Sequence, residues 1–559
     1  MAFQLSPGIN LSEIDLTSSV TGLSTSIGAI GGKFVWGPCN QIVDISDEIR
    51  LKSIFGGPKD ENYEYWFSAA NFLSYSNNLK VVRAANTVNT LNATDSGVGV
   101  PIVNSDAYFN NFSSGQNTYG AFAAKYASDI GNSIRVEMAD ANTFSTWAYA
   151  NYFTDAPDTS DYIGAAGGSN DELHIVIVDE GAMLTGFANN VLERFAFVSK
   201  ASNAKTIDGA SNYYKDVLNN RSNYIWSLSH PVSNTNWGTS GEGKVFDNLE
   251  QPISKRLSGG SNGNITNIDI IRAYSIVSDP DAVDISLLIS GPGGADVINH
   301  LIDNIALKRK DCCVFLSPPK STCVDNSGNE VEDIVSFRGQ ITSSDYAMMD
   351  SGWKYQYDKY NDTYRWIPLN ADIAGLCART DAQFDPWYSP AGPSRGVIRN
   401  LVKLSWNPSK NDRDNLYIKG VNPVVTFQGE GTILFGDKTL LTRPSAFDRI
   451  NVRRLFITLE KTIAKASRTQ LFNINDSFSR AQFKGIVEPF LRDVQGRRGI
   501  SDFKVVCDES NNTNEIVERN EFVGDIYIKP IRSTNFIQLN FVAVRNGVSF
   551  DEIAGRLGQ

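Results

Sequence analysis

The chain is poor in the residues that do metal and redox chemistry. Its 559 residues include only three histidines, His174, His230 and His300, in separate segments without ligand spacing. That excludes the usual histidine-based metal centre. Of its six cysteines, Cys312 and Cys313 are adjacent and Cys39, Cys323, Cys377 and Cys507 are scattered; no C-x-x-C occurs. Neither a disulfide framework nor a zinc finger fits that arrangement. No G-x-S-x-G is present either. No apolar run approaches the roughly 18 residues of a membrane span. Leu5 is the only large aliphatic in the first eight residues, so no signal-peptide core is expected. The expectation is a soluble chain in a reducing compartment. Lys and Arg are missing altogether from Val136 to Glu193, where ten acids stand. With a net charge of −11, bulk electrostatics do not make this a nucleic-acid binder.

What is present is an ordinary globular composition, 41% apolar and 20% charged, long enough for three or four domains. Against the acidic whole, Arg443 to Lys504 carries thirteen bases and six acids. Inside that stretch, Phe447 to Thr469 reads as one long two-faced helix. At about 100° per residue, Val452, Leu455, Phe456, Leu459, Ile463 and Ala466 fall in one arc. Arg454, Lys461, Lys465 and Arg468 form a stripe on the opposite side. Glu460 is the only acid between Arg449 and Thr469 and lies off the stripe. Solvated helix faces usually mix signs at i,i+4, so a stripe of one sign implies an acidic partner.

Residues 1–20 read as an arm with too few apolar groups for a core. Residues 21–86 read as strand, short helix with Ser46 or Asp47 as cap and a Gly stop, then helix and strand. Residues 87–124 suggest a small β-rich insertion, and 125–265 a middle α+β domain. The clearest α/β signal is 283–319: a buried strand, the Gly291-Pro292-Gly293-Gly294 turn, an amphipathic helix and a second strand, with a right-handed crossover expected. The segment 342–388 reads as a loop-rich, aromatic excursion. Residues 389–544 complete, with 21–86 and 266–341, one discontinuous core domain. Residues 545–559 form a second arm. The fold class expected is mixed α/β (α+β) and multidomain.

Several chemical motifs fail on their spacing. The GPGG turn lacks the third glycine of G-x-G-x-x-G and a placed acid for a ribose, leaving a tight βα turn. GAIGGKF (28–34) has Ile27 where a phosphate loop needs Gly, and Phe34 where Ser or Thr must hold Mg²⁺. Asp179-Glu180 reads as a solvated turn rather than an acid/base pair. The aromatic run 353–366, with Lys354, Lys359 and Arg365, suits a self-packed surface loop better than a single-strand stacking platform. Catalytic, cofactor and metal residues: none are expected. The extended segments at the two ends are a different matter. Ile537, Leu539 and Phe541 alternate with polar residues, and Asp525–Lys529 can pair with them. Two strands alone leave open edges that short arms can extend.

NVRRLFITLEKTIAKASRT, RAQFKGIVEPFLRDVQGRRGISDFKVVCDESNNT and NEFVGDIYIKPIRSTNFIQLNFVA together closely resemble the C-terminal domain of contractile tail sheath proteins of T4-like phages. PGINLSEIDLTSSVTGLSTSIGAIGGKFVWGPCNQ, AKYASDIGNSIRVEM, ISGPGG…CCVFLSPP and SPAGPSRGVI resemble the same family. The likeness is patchy over 87–265 and 342–388. It implies a C-terminal α/β sheath domain, β-rich insertions facing outward, and extended N- and C-terminal arms. Copies would form hexameric rings stacked as a helical sheath around a tail tube, assembled in the host cytoplasm and carried on the virion. Further partners would be baseplate and tail terminator proteins, with no direct nucleic acid and no membrane insertion. Contraction would drive the tube through the host envelope without nucleotide hydrolysis. Arg454, Lys461, Lys465 and Arg468 would touch the tube. Ser12, Ile14, Leu16, Ile526, Ile528, Ile537, Leu539, Phe541, Val548 and Phe550 would lie in strands shared between subunits. The acid-only 136–193 segment would face outward. The alternative is the sheath of a phage-tail-like bacteriocin or contractile injection system.

Overall fold

The computed structural model describes residues 25–535 apart from 87, 114–116 and 234. Seven strands make the central sheet, in the order Val421–Asn422, Ala347–Asp350, Cys313–Leu316, Leu287–Ile289, Gly28–Gly32, Leu79–Arg83, Ile42–Ile45. All neighbours are parallel except the last strand, which is antiparallel. Chain order reverses direction between Gly28–Gly32 and Leu287–Ile289, as in doubly wound folds.

The phosphate-loop lookalike GAIGG is an interior strand of this sheet, buried throughout. Its glycines are there because aromatic rings press on both faces. A Cβ on Gly28 would meet Phe72 at 2.6 Å, and one on Gly32 would meet Tyr65 at 2.2 Å, both from the Tyr63–Leu73 helix. A Cβ on Gly31, pointing the other way, would meet Tyr274 at 3.2 Å, from the Asn267–Ser275 helix. Period-2 alternation puts residues 28 and 32 on one face and 31 on the other. The Asp47 side chain caps the Glu48–Phe55 helix and Gly56 ends it. After Leu287–Ile289 come Ala295–His300, a π turn at Leu301–Ala306 and Leu307–Arg309, then the parallel strand Cys313–Leu316.

Residues 342–388 are not a loop-rich excursion. They hold the central strand Ala347–Asp350, the hairpin Trp353–Asp358/Thr363–Pro368 and the Asn370–Gln383 helix. The hairpin's alternation is inverted: Lys354, Gln356 and Asp358 are buried while Tyr357 is exposed. Lys354 is ion-paired with Asp372 at 2.8 Å, both side chains fully buried. Asp358 accepts from Arg365 Nε at 2.8 Å and from Asn361 Nδ2 at 2.7 Å. A strand that sends its polar residues inward does not look like a strand from its hydropathy. The Asn370–Gln383 helix is buried from Asn370 through Ala378. Its small residues permit this: a Cβ on Gly375 would meet Tyr75 at 2.4 Å.

Residues 87–124 and 125–265 form one insertion rather than two. Phe122–Ala124 pairs with Ile225–Ser227, and Tyr108 stacks on Trp226 at 4.1 Å. The insertion's main sheet is antiparallel, in the order Asn190–Ser199, Glu172–Asp179, Ile134–Ala139, Ile253–Arg256. Buried Arg83 ties it to the central domain, donating to the carbonyls of Phe34, Gly37 and Ala127 at 2.7–2.9 Å. The acid-only segment is less outward-facing than its composition suggests, because Glu137, Asp140, Asp171 and Asp179 are buried. Asp140 pairs with buried Lys200 at 3.1 Å, and Asp171 accepts from Ser160 N and Oγ, each at 2.8 Å. Asp179 accepts the amides of Met183, Leu184 and Thr185, closing the turn after its strand. The histidines are equally committed. His174 stacks on Phe153 and accepts from Phe197 N at 3.0 Å, while His230 Nδ1 meets Tyr214 Oη at 2.6 Å.

The expected single core domain divides in two. One apolar core spans Ala29 to Ile457; a second, smaller one joins Leu455, Leu459, Phe483, Val487, Leu491, Val494, Ile500 and Val505. The second belongs to a C-terminal unit of two helices, Ile450–Ser467 and Ser477–Gly496, and the antiparallel pair Ile500–Val506/Asp525–Pro530.

Candidate assembly surfaces of the C-terminal unit

The Ile450–Ser467 helix contains neither Gly nor Pro, and forms where the sequence places it. It joins the two cores: Ile450 and Ile457 enter the central one, Leu455 and Leu459 the smaller one. Being covered on two sides, it leaves less room for a solvent-facing stripe than a one-sided helix would.

The basic stripe is accordingly graded. Arg454 is 4% exposed and pairs with Asp381 of the Asn370–Gln383 helix at 2.5 Å. Burial opposes its charge, but Asp381 wins and holds the guanidinium above its ordinary pKa. The expectation that Arg454 reaches an external partner is therefore corrected. Lys461, 11% exposed, bonds Asp284 at 2.8 Å, the Ile285 carbonyl at 2.8 Å and Ser286 Oγ at 3.1 Å, with Asp311 at 3.8 Å. Its ammonium is likewise turned to its own chain. Arg468 pairs with Asp281 at 2.7 Å, but both side chains stay at least 70% exposed. Lys465 is exposed and, among the described residues, forms no ion pair. The acidic partner implied by the stripe is thus mostly this chain's own Asp381, Asp284, Asp311 and Asp281. No spacing rule could have found them, since they lie tens to nearly two hundred residues away. The neighbouring Arg453 also turns inward, to Asp345 at 3.2 Å and Glu460 at 3.2 Å.

The rest of the apolar arc is only partly covered. Phe456, Leu459, Ile463, Phe483, Ile526 and Ile528 line an open groove of about 550 Å³ beside the Asp525–Pro530 strand. That strand pairs only with Ile500–Val506; among the described residues no third strand joins either edge. The loop between the two helices exposes Leu471, Phe472 and Ile474, with Phe472 at φ 68°, and the first turn of the second helix exposes Phe478. Nothing in the helical periodicity marked that loop. Of the inter-subunit residues expected, Ile526 and Ile528 stand on this strand; Ser12, Ile14, Leu16, Ile537, Leu539, Phe541, Val548 and Phe550 lie outside the described residues.

The place where doubly wound folds hold a nucleotide is filled from within. Asn370 Nδ2 donates to the Gly291 carbonyl at 2.8 Å, and its backbone N–H to Ser317 Oγ at 2.9 Å. Ser317 in turn donates to Asp350 at 2.6 Å. Burial pushes the Asp350 carboxyl up to about 8, so it is largely a neutral member of this network.

Residues 263–440 match the phage tail sheath protein central domain, and 442–543 the phage tail sheath C-terminal domain. The tail sheath protein of Enterobacteria phage T4 is 33% identical, over 99% of this chain and 100% of its own length. The chain belongs to the phage tail sheath protein family. The tail sheath protein of Vibrio phage KVP40 is 32% identical over 99% of this chain and all of its own. The fold is shared with the anti-feeding prophage helical sheath in its contracted state, at TM-score 0.52 and 11% identity, covering 97% of this chain and 99% of that one. As a sheath protein, the chain is a structural component of a contractile phage tail that assembles helically. Its central sheet is larger than the matched central domain, because three of the seven strands come from residues 28–83.

Proposed function

We propose that copies of this sheath protein form six-membered rings, stacked as a sleeve around a tail tube, and that the sleeve shortens and widens to drive the tube through the host envelope. The work comes from a conformational difference stored at assembly, not from nucleotide hydrolysis. The observation that carries the reading is the C-terminal unit, which among the described residues has two strands, neither edge joined by a third, beside an apolar groove of about 550 Å³. Two strands are marginal alone, and open edges accept added strands. Segments around Ser12–Leu16, Ile537–Phe541 and Val548–Phe550 supply them from neighbouring copies. Lys465 and Arg468 face the tube. Exposed pairs are worth only about 0–1 kcal/mol each, which suits a contact that must release along the whole sleeve. Baseplate and terminator proteins bound the sleeve at its ends, and assembly takes place in the host cytoplasm. Electron microscopy of the concentrated protein tests this: long, hollow, striated tubes are expected, and a persistently monomeric protein would overturn it.

A further inference from the structure

A second concavity, of about 730 Å³, opens where the central domain meets the C-terminal unit. Five cations line it: Arg395, Lys410, Arg413, Arg498 and Arg532. Among the described residues none of the five forms an ion pair. Of the two carboxylates in the wall, Asp437 is already committed: it pairs with Arg449 at 3.1 Å and accepts Ser389 Oγ at 2.9 Å and Ser533 Oγ at 2.8 Å. Only Asp414 remains. Two of the arginines are braced on rings: Arg395 lies 5.5 Å from the Phe384 centroid, Arg413 5.4 Å from that of Phe427. Cations held in place around a concave surface concentrate positive potential and select an anionic occupant.

The chain itself contains one of matching charge. Residues 1–24 include Glu13 and Asp15 and no Lys, Arg or His. The described chain starts on a chain of contacts that leads to the cavity wall. Thr25 Oγ1 donates to Asp381 Oδ2 at 2.6 Å, the same oxygen that receives Arg454. Asn451, one helical turn before Arg454, lines the cavity and donates to the Trp387 carbonyl at 3.2 Å. Glu13 is twelve residues from Thr25, a reach of up to about 40 Å when extended. On an extended segment Glu13 and Asp15 share a face, with Ile14 opposite for the aromatic part of the lining.

We propose that the Glu13–Asp15 segment seats in the five-cation cavity of its own chain before assembly, an autoinhibitory contact that withholds the segment from neighbouring subunits until it is exchanged. The assembly consequence rests on the sleeve reading; the contact does not. Carbodiimide coupling of dilute monomer, prepared as a mixture of unlabelled and heavy-nitrogen protein, tests the contact directly. The expected product is an amide between Lys410 and Glu13 or Asp15, within peptides of a single label. Absence of that product, or its appearance only in mixed-label pairs, overturns the proposal. Glu13→Gln with Asp15→Asn, which leaves every described residue intact, should start polymerisation at a protein concentration about tenfold lower. Arg413→Glu with Arg498→Glu should act in the same direction. A higher threshold in either variant would make the cavity a part of assembly rather than a restraint on it, and would overturn the proposal. Failure of the wild-type protein to polymerise at all would count against the sleeve, while the label result would still decide the cavity.

Discussion

The seven-stranded sheet ends on one side in the antiparallel strand Ile42–Ile45 and on the other in the two-residue strand Val421–Asn422. Among the described residues, the two-stranded sheet of the C-terminal unit gains no third strand on either side, beside a groove lined by Ile526 and Ile528. The first sheet is seven strands wide; the second, among the described residues, has only two, too few to be stable alone. Charges follow the same division. In the central domain Lys354–Asp372 is sealed inside, whereas Arg468–Asp281 at the edge of the C-terminal unit is open to water. The central domain closes its charges off from water, and the C-terminal unit shows some of its own to solvent.

The joint between the two regions should be the most sensitive place to break this contrast. Arg454→Met leaves Asp381 buried without its counter-charge, and should cost about 3–5 kcal/mol in denaturant unfolding. Adding Asp381→Leu should recover most of that. A loss below about 1 kcal/mol would remove the pair as the joint. Next is the closed sheet itself: Gly32→Val drives a branched side chain into Tyr65 and should cost about 3 kcal/mol, read from the same unfolding curve. Two lysines one helical turn apart then separate inside from outside. Lys461→Glu sets a carboxylate against Asp284 and Asp311 and should cost about 2 kcal/mol. Lys465→Glu should change stability by less than about 0.5 kcal/mol, yet with Arg468→Glu it should abolish sheath formation on tubes. Equal effects of the two lysines on stability would erase the distinction drawn between them.

The mildest effect concerns pH. Burial lowers the pKa of His174 below its ordinary 6.5, its neutral ring being held between Phe153 and the Phe197 amide. The unfolded chain then binds the proton more readily, so this contribution is complete above about pH 6.5 and is lost as pH falls through the lowered value. Thermal unfolding followed from pH 7.5 to 5 should show the insertion weakening first, and His174→Gln should flatten that slope. A slope unchanged by the substitution would mean that His174 does not set it.

Local elements were legible where pattern and environment agree. The Glu48–Phe55 helix carries its own cap and stop, and the strand–turn–helix–strand run from Leu287 to Leu316 has the continuous apolar strands of a buried parallel unit. The hairpin Trp353–Asp358/Thr363–Pro368 was not legible, because it buries Lys354 and Asp358 and exposes Tyr357, the reverse of a normal strand. The Asn370–Gln383 helix was hidden for a related reason. Wrapped by the fold on nearly every side, it has no polar face to give it a period. The basic stripe was legible as a chemical demand for acids but not as an address. Asp381, Asp284 and Asp311 answer it from distant segments, and only chain folding brings them within 4 Å.

The sequence by itself determined the family, the long Ile450–Ser467 helix, the excess of positive charge around it and the alternation of the segments near both ends, since each of these is a property of neighbouring residues. Tertiary structure alone decided which charges are spent. Burial between two cores commits Arg454 and Lys461 to carboxylates of the same chain, while at the end of the helix Lys465 and the Arg468–Asp281 pair stay in solvent.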